Sequence, residues 1–292
     1  MSDHTIILFY RFTSIENPDQ FRKEQRALCE SLNLQGRMLI AHEGINATFE
    51  GTTENVEKYK AALHAMPAFS DLVFKESEGT GKAFTKLEIK VRPEIVTLQA
   101  GEFNIKNETA PEMTAEELEE LYTKDEDFVV LDLRNDFEVE VGNFEKTVNP
   151  KLRNFRDLPE ILPQLEHLKD KKVVAVCTGG IRCEKATCLL KREGFTDIYQ
   201  LKDGIHTYIK EYPDSHFKGS LFVFDNRMTT PVVARKNPEI ISKCTYCQVP
   251  TEQFYSDDNV RPSRKVICCD SCFHNHSDRL RSCNPVMAEQ VS

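Results

Sequence analysis

The sequence predicts an α/β protein in three parts: an N-terminal α+β sandwich, a central domain on a parallel sheet, and a small cysteine-rich C-terminal segment. Three observations predict it. Residues 1–95 alternate in the order strand, helix, strands, helix, strands. Phe128–Leu133, Val173–Cys177 and Ile198–Leu201 are short apolar runs separated by helical stretches, as in a parallel sheet covered on both faces. Beyond Gly219 the periodic apolar residues thin out and cysteines gather in pairs.

Each element has a local cause. Thr5–Phe12 is apolar and aromatic, as a buried strand is. Asn17–Leu34 repeats Phe21, Leu28 and Leu32 at helical spacing, with Pro18 in the first turn, where its missing N–H costs nothing. Arg37–Phe49 returns as extended chain around a tight turn at Gly44-Ile45-Asn46, and Glu54–Met66 is a helix stopped by Pro67. Leu72–Lys75 and Lys86–Val91 complete a small antiparallel sheet, and a ferredoxin-like sandwich fits this order. Pro93, Gly101 and Pro111 punctuate a linker, drawn at 96–112 between domains at 1–95 and 113–219. Thr114 with Glu117 forms a capping box for the acidic helix Ala115–Tyr122. Leu221–Phe224 reads as one last strand, and the tail at 220–292 is too poor in apolar residues to build a core alone.

The bulk numbers narrow the function. No apolar run approaches the ~18 residues of a membrane-spanning helix, and the first residues lack the pattern of an export signal. Ten cysteines without such a signal point to a reduced cytoplasmic setting, where catalysis or metal binding outranks disulfides. The net charge of −9 argues at first against nucleic acid. Residues 112–140 alone hold twelve acidic and two basic side chains, however, whereas residues 227–281 hold nine basic and six acidic. A basic face beside an acidic one leaves RNA binding open.

The chemistry concentrates at Cys177-Thr178-Gly179-Gly180-Ile181-Arg182-Cys183, between a β-branched run and a helix-forming segment. Two glycines let backbone N–H groups turn inward as an anion nest. A thiol facing that nest, an arginine and a helix N-terminus is expected to ionise near neutral pH, as an accessible anion at the rim of the parallel sheet. Arg182 either adds its charge or bridges to Asp132 or Glu184 as a brace. Cys183 is either a resolving thiol for an oxidised Cys177 or a small residue packing at the helix start. Cys188 and Cys29 read as core.

These residues carry a resemblance. Val130–Arg134, Phe137-Glu138 and Gly142-Asn143-Phe144 resemble the early signature of rhodanese-like domains, with Asn143 where many have histidine. Cys177–Arg182 resembles their active-site loop, and Leu201–Ile205 the segment after the next strand. Cys177–Ala186 is similar to the oxygen-dependent tRNA uridine hydroxylases, as are Glu43–Asn46, Asn149-Pro150, Phe155-Arg156 and Phe222–Asp225 with Arg227. The resemblance runs from about residue 5 to about residue 283. It implies a ferredoxin-like domain, a rhodanese-like domain and a cysteine-rich tail. It implies conversion of the wobble uridine of tRNA to 5-hydroxyuridine with O2 and a reductant, Cys177 being essential and drawn as a persulfide carrier. The loop by itself predicts a different activity, thiosulfate-type sulfur transfer, and a redox-sensing binding module is a further rival. A cysteine phosphatase is disfavoured because the loop is one residue short.

In the tail, Cys244-Thr245-Tyr246-Cys247 and Cys269-Asp270-Ser271-Cys272 are two Cys-x2-Cys knuckles with 21 residues between them. That spacing suits a structural zinc site, with Cys268, His274, His276 or Cys283 as substitute ligands and free thiols as the alternative. Arg261, Arg264 and Lys265 on the intervening loop, and Lys82, Lys86, Lys90 and Arg92 near the last N-terminal strands, are candidate contacts to tRNA phosphates. No protein partner is evident. His42-Glu43 reads as a polar pair at the site's mouth.

Overall fold

A computed structural model describes residues 3–230, 239–257, 259–260 and 264–282, in two compact units, Met1–Thr97 and Leu98–Ser292.

The first unit runs β1 (His4–Phe12), α1 (Pro18–Ser31), β2 (Gln35–Ala41), β3 (Gly44–Thr52), α2 (Thr53–His64), β4 (Lys75–Glu78) and β5 (Leu87–Val91). The sheet order β4-β1-β3-β2 is that of a ferredoxin-like sandwich, and β5 adds a fifth strand beside β2. Alternation sends Ile7, Phe9, Met38, Ile40, Ala47 and Phe49 to one face, where Cys29, Val56, Tyr59 and Leu63 of the two helices cover them. Asn17 caps α1 by accepting from the Gln20 N–H at 3.0 Å.

Three expectations change here. The reversal between β2 and β3 lies at His42-Glu43, and Gly44–Asn46 is strand. Gly44 is needed all the same: its φ is +144°, and a Cβ there would meet the Arg11 carbonyl oxygen at 1.9 Å. The sheet is not wholly antiparallel, because β5 runs parallel to β2. The fourth strand starts at Lys75, since Leu72 is drawn into the helix-side core.

The second unit begins with α3 (Ile105–Glu108), β6 (Glu112–Met113), α4 (Ala115–Thr123), β7 (Phe128–Asp132), α5 (Asp136–Val141), β8 (Gly142–Phe144), β9 (Thr147–Val148) and α6 (Leu158–Ile161). It continues with β10 (Lys172–Val176), α7 (Ile181–Arg192), β11 (Ile198–Leu201) and α8 (Gly204–Glu211). The sheet order is β6-β11-β10-β7-β9, with every neighbouring pair parallel. β10 lies at its centre, so Val173–Val176 are buried throughout. The predicted capping box is present: Thr114 N–H donates to Glu117 at 2.7 Å, and Glu117 N–H to the Thr114 hydroxyl at 3.1 Å.

The chain then forms β12 (Phe217–Gly219), β13 (Leu221–Phe222), β14 (Thr229–Thr230), β15 (Phe254–Asp257), β16 (Arg264–Ile267), α9 (Asp270–Asn275) and β17 (Leu280–Ser282). The tail therefore has more order than its composition led one to expect. β16-β15-β17 form a small antiparallel sheet. Phe222, Met228, Phe254 and Ile267 bury themselves against Val141 of α5. The tail borrows a core from the parallel domain, which explains how so few apolar residues suffice.

Candidate active site

In open parallel sheets, ligands bind beyond the carboxyl ends of the strands, and Cys177 is the first residue after central β10. The next three residues turn so that the Gly180 N–H donates to Cys177 Sγ at 3.1 Å, Gly180 having φ +100°. The Arg182 and Cys183 amides, in the first turn of α7, also point at the sulfur. The loop's carbonyls are turned away: Ile205 N–H donates to Cys177 O and His206 N–H to Thr178 O, both at 3.0 Å. These donors start α8, which approaches closely because Gly204 has no side chain. A Cβ there would lie 2.6 Å from Cys177 O and 2.8 Å from Gly180 N. The Asp203-Gly204-Ile205 sequence thus works as a wedge that keeps N–H groups facing inward.

Burial alone would raise the Cys177 pKa. The Cys183 thiol, the Arg182 charge and the Cys183 and Arg182 amides outweigh it and bring the value down to about 5. Burial pushes Cys183 far the other way, and sharing a proton with Cys177 adds to the rise, so Cys183 remains a neutral donor to a thiolate.

Two expectations need correction. The sulfur does not lie open to solvent: Cys177 is 0% exposed, and Thr178, Gly179 and Gly180 are buried with it. The wedge of α8 against the loop explains this. Its amides nonetheless face the sulfur, so the anion is held by donors and not by water. Arg182 bridges neither Asp132 nor Glu184. Its Nη1 and Nη2 grip Glu138 at 2.6 and 3.0 Å, and Nη2 reaches the Thr178 hydroxyl at 3.1 Å. Asp132 is taken by Arg134, in a pair with 0% side-chain exposure on both partners.

Sequence reading quoted Glu138 in a motif without giving it a role. Its carboxylate also accepts from the Asn135 N–H at 2.9 Å, while its own N–H donates to Asn135 O at 2.8 Å. The Asn135-x-x-Glu138 spacing at a helix start was the available signal. Burial opposes the Arg182 charge, and the Glu138 carboxylate more than offsets it, raising the guanidinium's pKa and leaving a fixed cation beside the sulfur. An aromatic neighbour was likewise missed: the Phe224 ring lies 6.0 Å from the Arg182 guanidinium.

In the tail, Cys244, Cys247, Cys269 and Cys272 converge, with all four Sγ atoms within 4.8 Å of one another. Cys247 and Cys269 are 3.6 Å apart. Metal–sulfur bonds of ~2.3 Å in a tetrahedron give sulfur–sulfur edges of ~3.8 Å, so the set fits zinc. Among the substitute ligands, the Cys268 thiol turns to Cys269 O, and His274 Nδ1 bonds to Asp270 O at 2.7 Å. Cys283 lies outside the described residues.

The candidate basic residues fall in both units, Lys82, Lys86, Lys90 and Arg92 in the first and Arg264 and Lys265 in the second. Lys86 precedes β5 and Lys90 lies within it, and both pair with Glu88, at 2.8 and 3.3 Å, while Ile89 faces the core. Lys82 is exposed on the preceding loop, and Arg92 follows the strand. Arg264 and Lys265 sit in β16 and not in a loop, and Arg261 falls outside the described residues. His42 and Glu43 form the β2–β3 turn, bonded to Ile15 O and the Ile95 N–H. No helix among the described residues is long and apolar enough to cross a membrane.

Comparison with known proteins covers nearly the whole chain. Residues 4–95 match the UPF0176 acylphosphatase-like domain, 114–211 the rhodanese-like domain, and 218–285 the rhodanese C-terminal domain. The tRNA uridine(34) hydroxylase of Bacillus cereus strain AH187 is 39% identical over 289 residues, 96% of this chain and 88% of that protein. That of Bacillus thuringiensis strain Al Hakam is similar to the same extent. A solved rhodanese-like domain protein from Staphylococcus aureus is 24% identical over 34% of this chain and 90% of that one, with a TM-score of 0.29.

Proposed function

Since the chain belongs to the tRNA uridine(34) hydroxylase family, we propose that it oxidises the wobble uridine of tRNA at C5, with Cys177 as the reacting group. The observation that supports this is the sulfur itself, an anion at neutral pH held by the Gly180 N–H and the first turn of α7. The Cys177 thiolate adds to C6 of uracil, forming an S–C6 bond and moving the C5=C6 pair onto C5 and its conjugated carbonyl. Carbon 5, now a nucleophile, takes an oxygen atom. Loss of the C5 proton then restores the double bond and expels the thiolate. The oxygen comes from O2, whose second atom leaves as water with two electrons and two protons from an external reductant. Arg182, fixed by Glu138, stabilises negative charge through these steps. Because the sulfur is enclosed, the target base must leave its stack to reach it.

The functional test is nucleoside mass spectrometry of tRNA from cells lacking this protein and from cells complemented with it. We expect 5-hydroxyuridine and nucleosides made from it only in the complemented cells. Equal amounts in both, with brisk thiosulfate:cyanide sulfur transfer by the pure protein, would favour the sulfurtransferase reading.

Zinc held by Cys244, Cys247, Cys269 and Cys272 would be structural, because four thiolates leave no open position. Metal analysis of protein purified without added metal should find about one zinc per chain. Cys244→Ser should lose it together with the order of the tail. Metal-free protein with an intact tail would overturn the assignment. Candidate tRNA-backbone contacts remain Lys82, Lys86, Lys90, Arg92, Arg261, Arg264 and Lys265, each worth a modest, salt-dependent share of affinity.

A further inference from the structure

Large apolar side chains left in water are few. Among the described residues Val73, Phe224, Ile240, Val249 and Val260 are the exposed ones, and Phe224 is the aromatic member, at 48% exposure. Its position is built. Phe222 ends β13, and Phe224 stands two residues on, where the chain bends into a turn. Phe222 is fully buried, and its ring supports Phe224 edge-on at 5.1 Å. The following turn is closed by Met228 N–H to Asp225 O at 3.0 Å and Val223 N–H to Met228 O at 2.9 Å. Asp225, 6% exposed, braces it by accepting from Arg227 N–H, Nε and Nη2 at 3.0, 2.8 and 2.7 Å. A buried carboxylate and a buried ring thus hold a second, exposed ring above Arg182, the residue whose charge acts on the Cys177 sulfur.

We infer that Phe224 is a substrate-binding residue that stacks on the pyrimidine ring entering the Cys177 site. Unpaired bases are held by aromatic faces and guanidinium planes. A base drawn out of its stack loses a flat neighbour, and Phe224 supplies one at the point of entry. Stacking of this kind tolerates any base, so Phe224 governs how firmly the ring is held, while the sulfur's reach to C6 decides what reacts.

This assignment rests on the hydroxylase reading, and the test separates the two. An anticodon stem-loop RNA carrying the wobble uridine is incubated with wild-type protein, Phe224→Ala, Phe224→Leu and Phe224→Trp, with O2 and a reductant, and 5-hydroxyuridine is quantified. Alkylation of Cys177 by iodoacetamide is measured in parallel to show that the loop is intact. We expect Phe224→Ala and Phe224→Leu to lose roughly ten- to a hundredfold in kcat/KM, mainly through KM, and Phe224→Trp to stay within about threefold. Alkylation kinetics should be alike in all four. Full activity in Phe224→Ala, or rescue by Phe224→Leu, would overturn the stacking role alone. A wild type that leaves the RNA unmodified would remove the hydroxylase reading and this role with it.

Discussion

Cys177→Ser abolishes formation of 5-hydroxyuridine, with a fall in rate on the order of 10³-fold or more, as loss of a nucleophile produces. Serine preserves the shape of the loop and the Gly180 hydrogen-bond geometry, but its hydroxyl does not ionise near neutral pH. The donors around position 177 would then face a neutral oxygen. Because the side chain is fully enclosed and differs by one atom, the fold should persist. Circular dichroism and metal content like those of the wild type would show that chemistry, not structure, was removed. Retention of activity within tenfold would mean that Cys177 is not the reacting group.

Glu138→Gln should damage both stability and activity. Glu138 has 0% and Arg182 9% side-chain exposure, so water cannot replace the lost charge. Removing one member of a buried ion pair leaves its partner uncompensated, typically at a cost of about 3–5 kcal/mol. The amide would keep the size of the carboxyl group and one acceptor, yet it would turn an N–H toward Arg182. We expect a fall of that size in the unfolding free energy measured by denaturant titration. Hydroxylation should also be lost at temperatures where the variant remains folded, because Arg182 then has no fixed position beside the sulfur. A variant within about 1 kcal/mol of wild type and fully active would show that the pair neither braces the loop nor serves the reaction.

Much of this was legible because local causes and tertiary outcomes agree. Pro18 and Asn17 start α1, Thr114 and Glu117 start α4, and the Val173–Val176 run sits at the centre of its sheet, as its composition requires. The inward-facing amides of the Cys177 loop could be read because glycines, a helix start and an arginine are adjacent in sequence. The pairing of the knuckles could be read because two Cys-x2-Cys units leave few geometric choices.

What stayed hidden depends on contacts between distant residues. Glu138 and Arg182 are 44 residues apart, and nothing near Arg182 marks Glu138 in preference to Asp132 as its partner. The burial of Cys177 follows from Gly204, which reads locally as an ordinary turn glycine. The tail's order depends on Val141 of α5, so an assessment of the tail's own apolar residues was bound to underestimate it. The fifth N-terminal strand runs parallel to β2 because the chain crosses over before reaching it, and alternation within Lys86–Val91 says nothing about direction.

The pH dependence of Cys177 alkylation, followed peptide by peptide with iodoacetamide and mass spectrometry, tests the central claim most directly. The depressed pKa means that the thiolate persists through neutral pH and disappears as pH falls through about 5. Limited access would scale every rate alike and leave the midpoint in place. The rate should therefore hold a plateau near neutrality and drop about tenfold per unit on the acid side. A rate that climbs through alkaline pH with a midpoint near the ordinary thiol value of 9.0 would contradict the account.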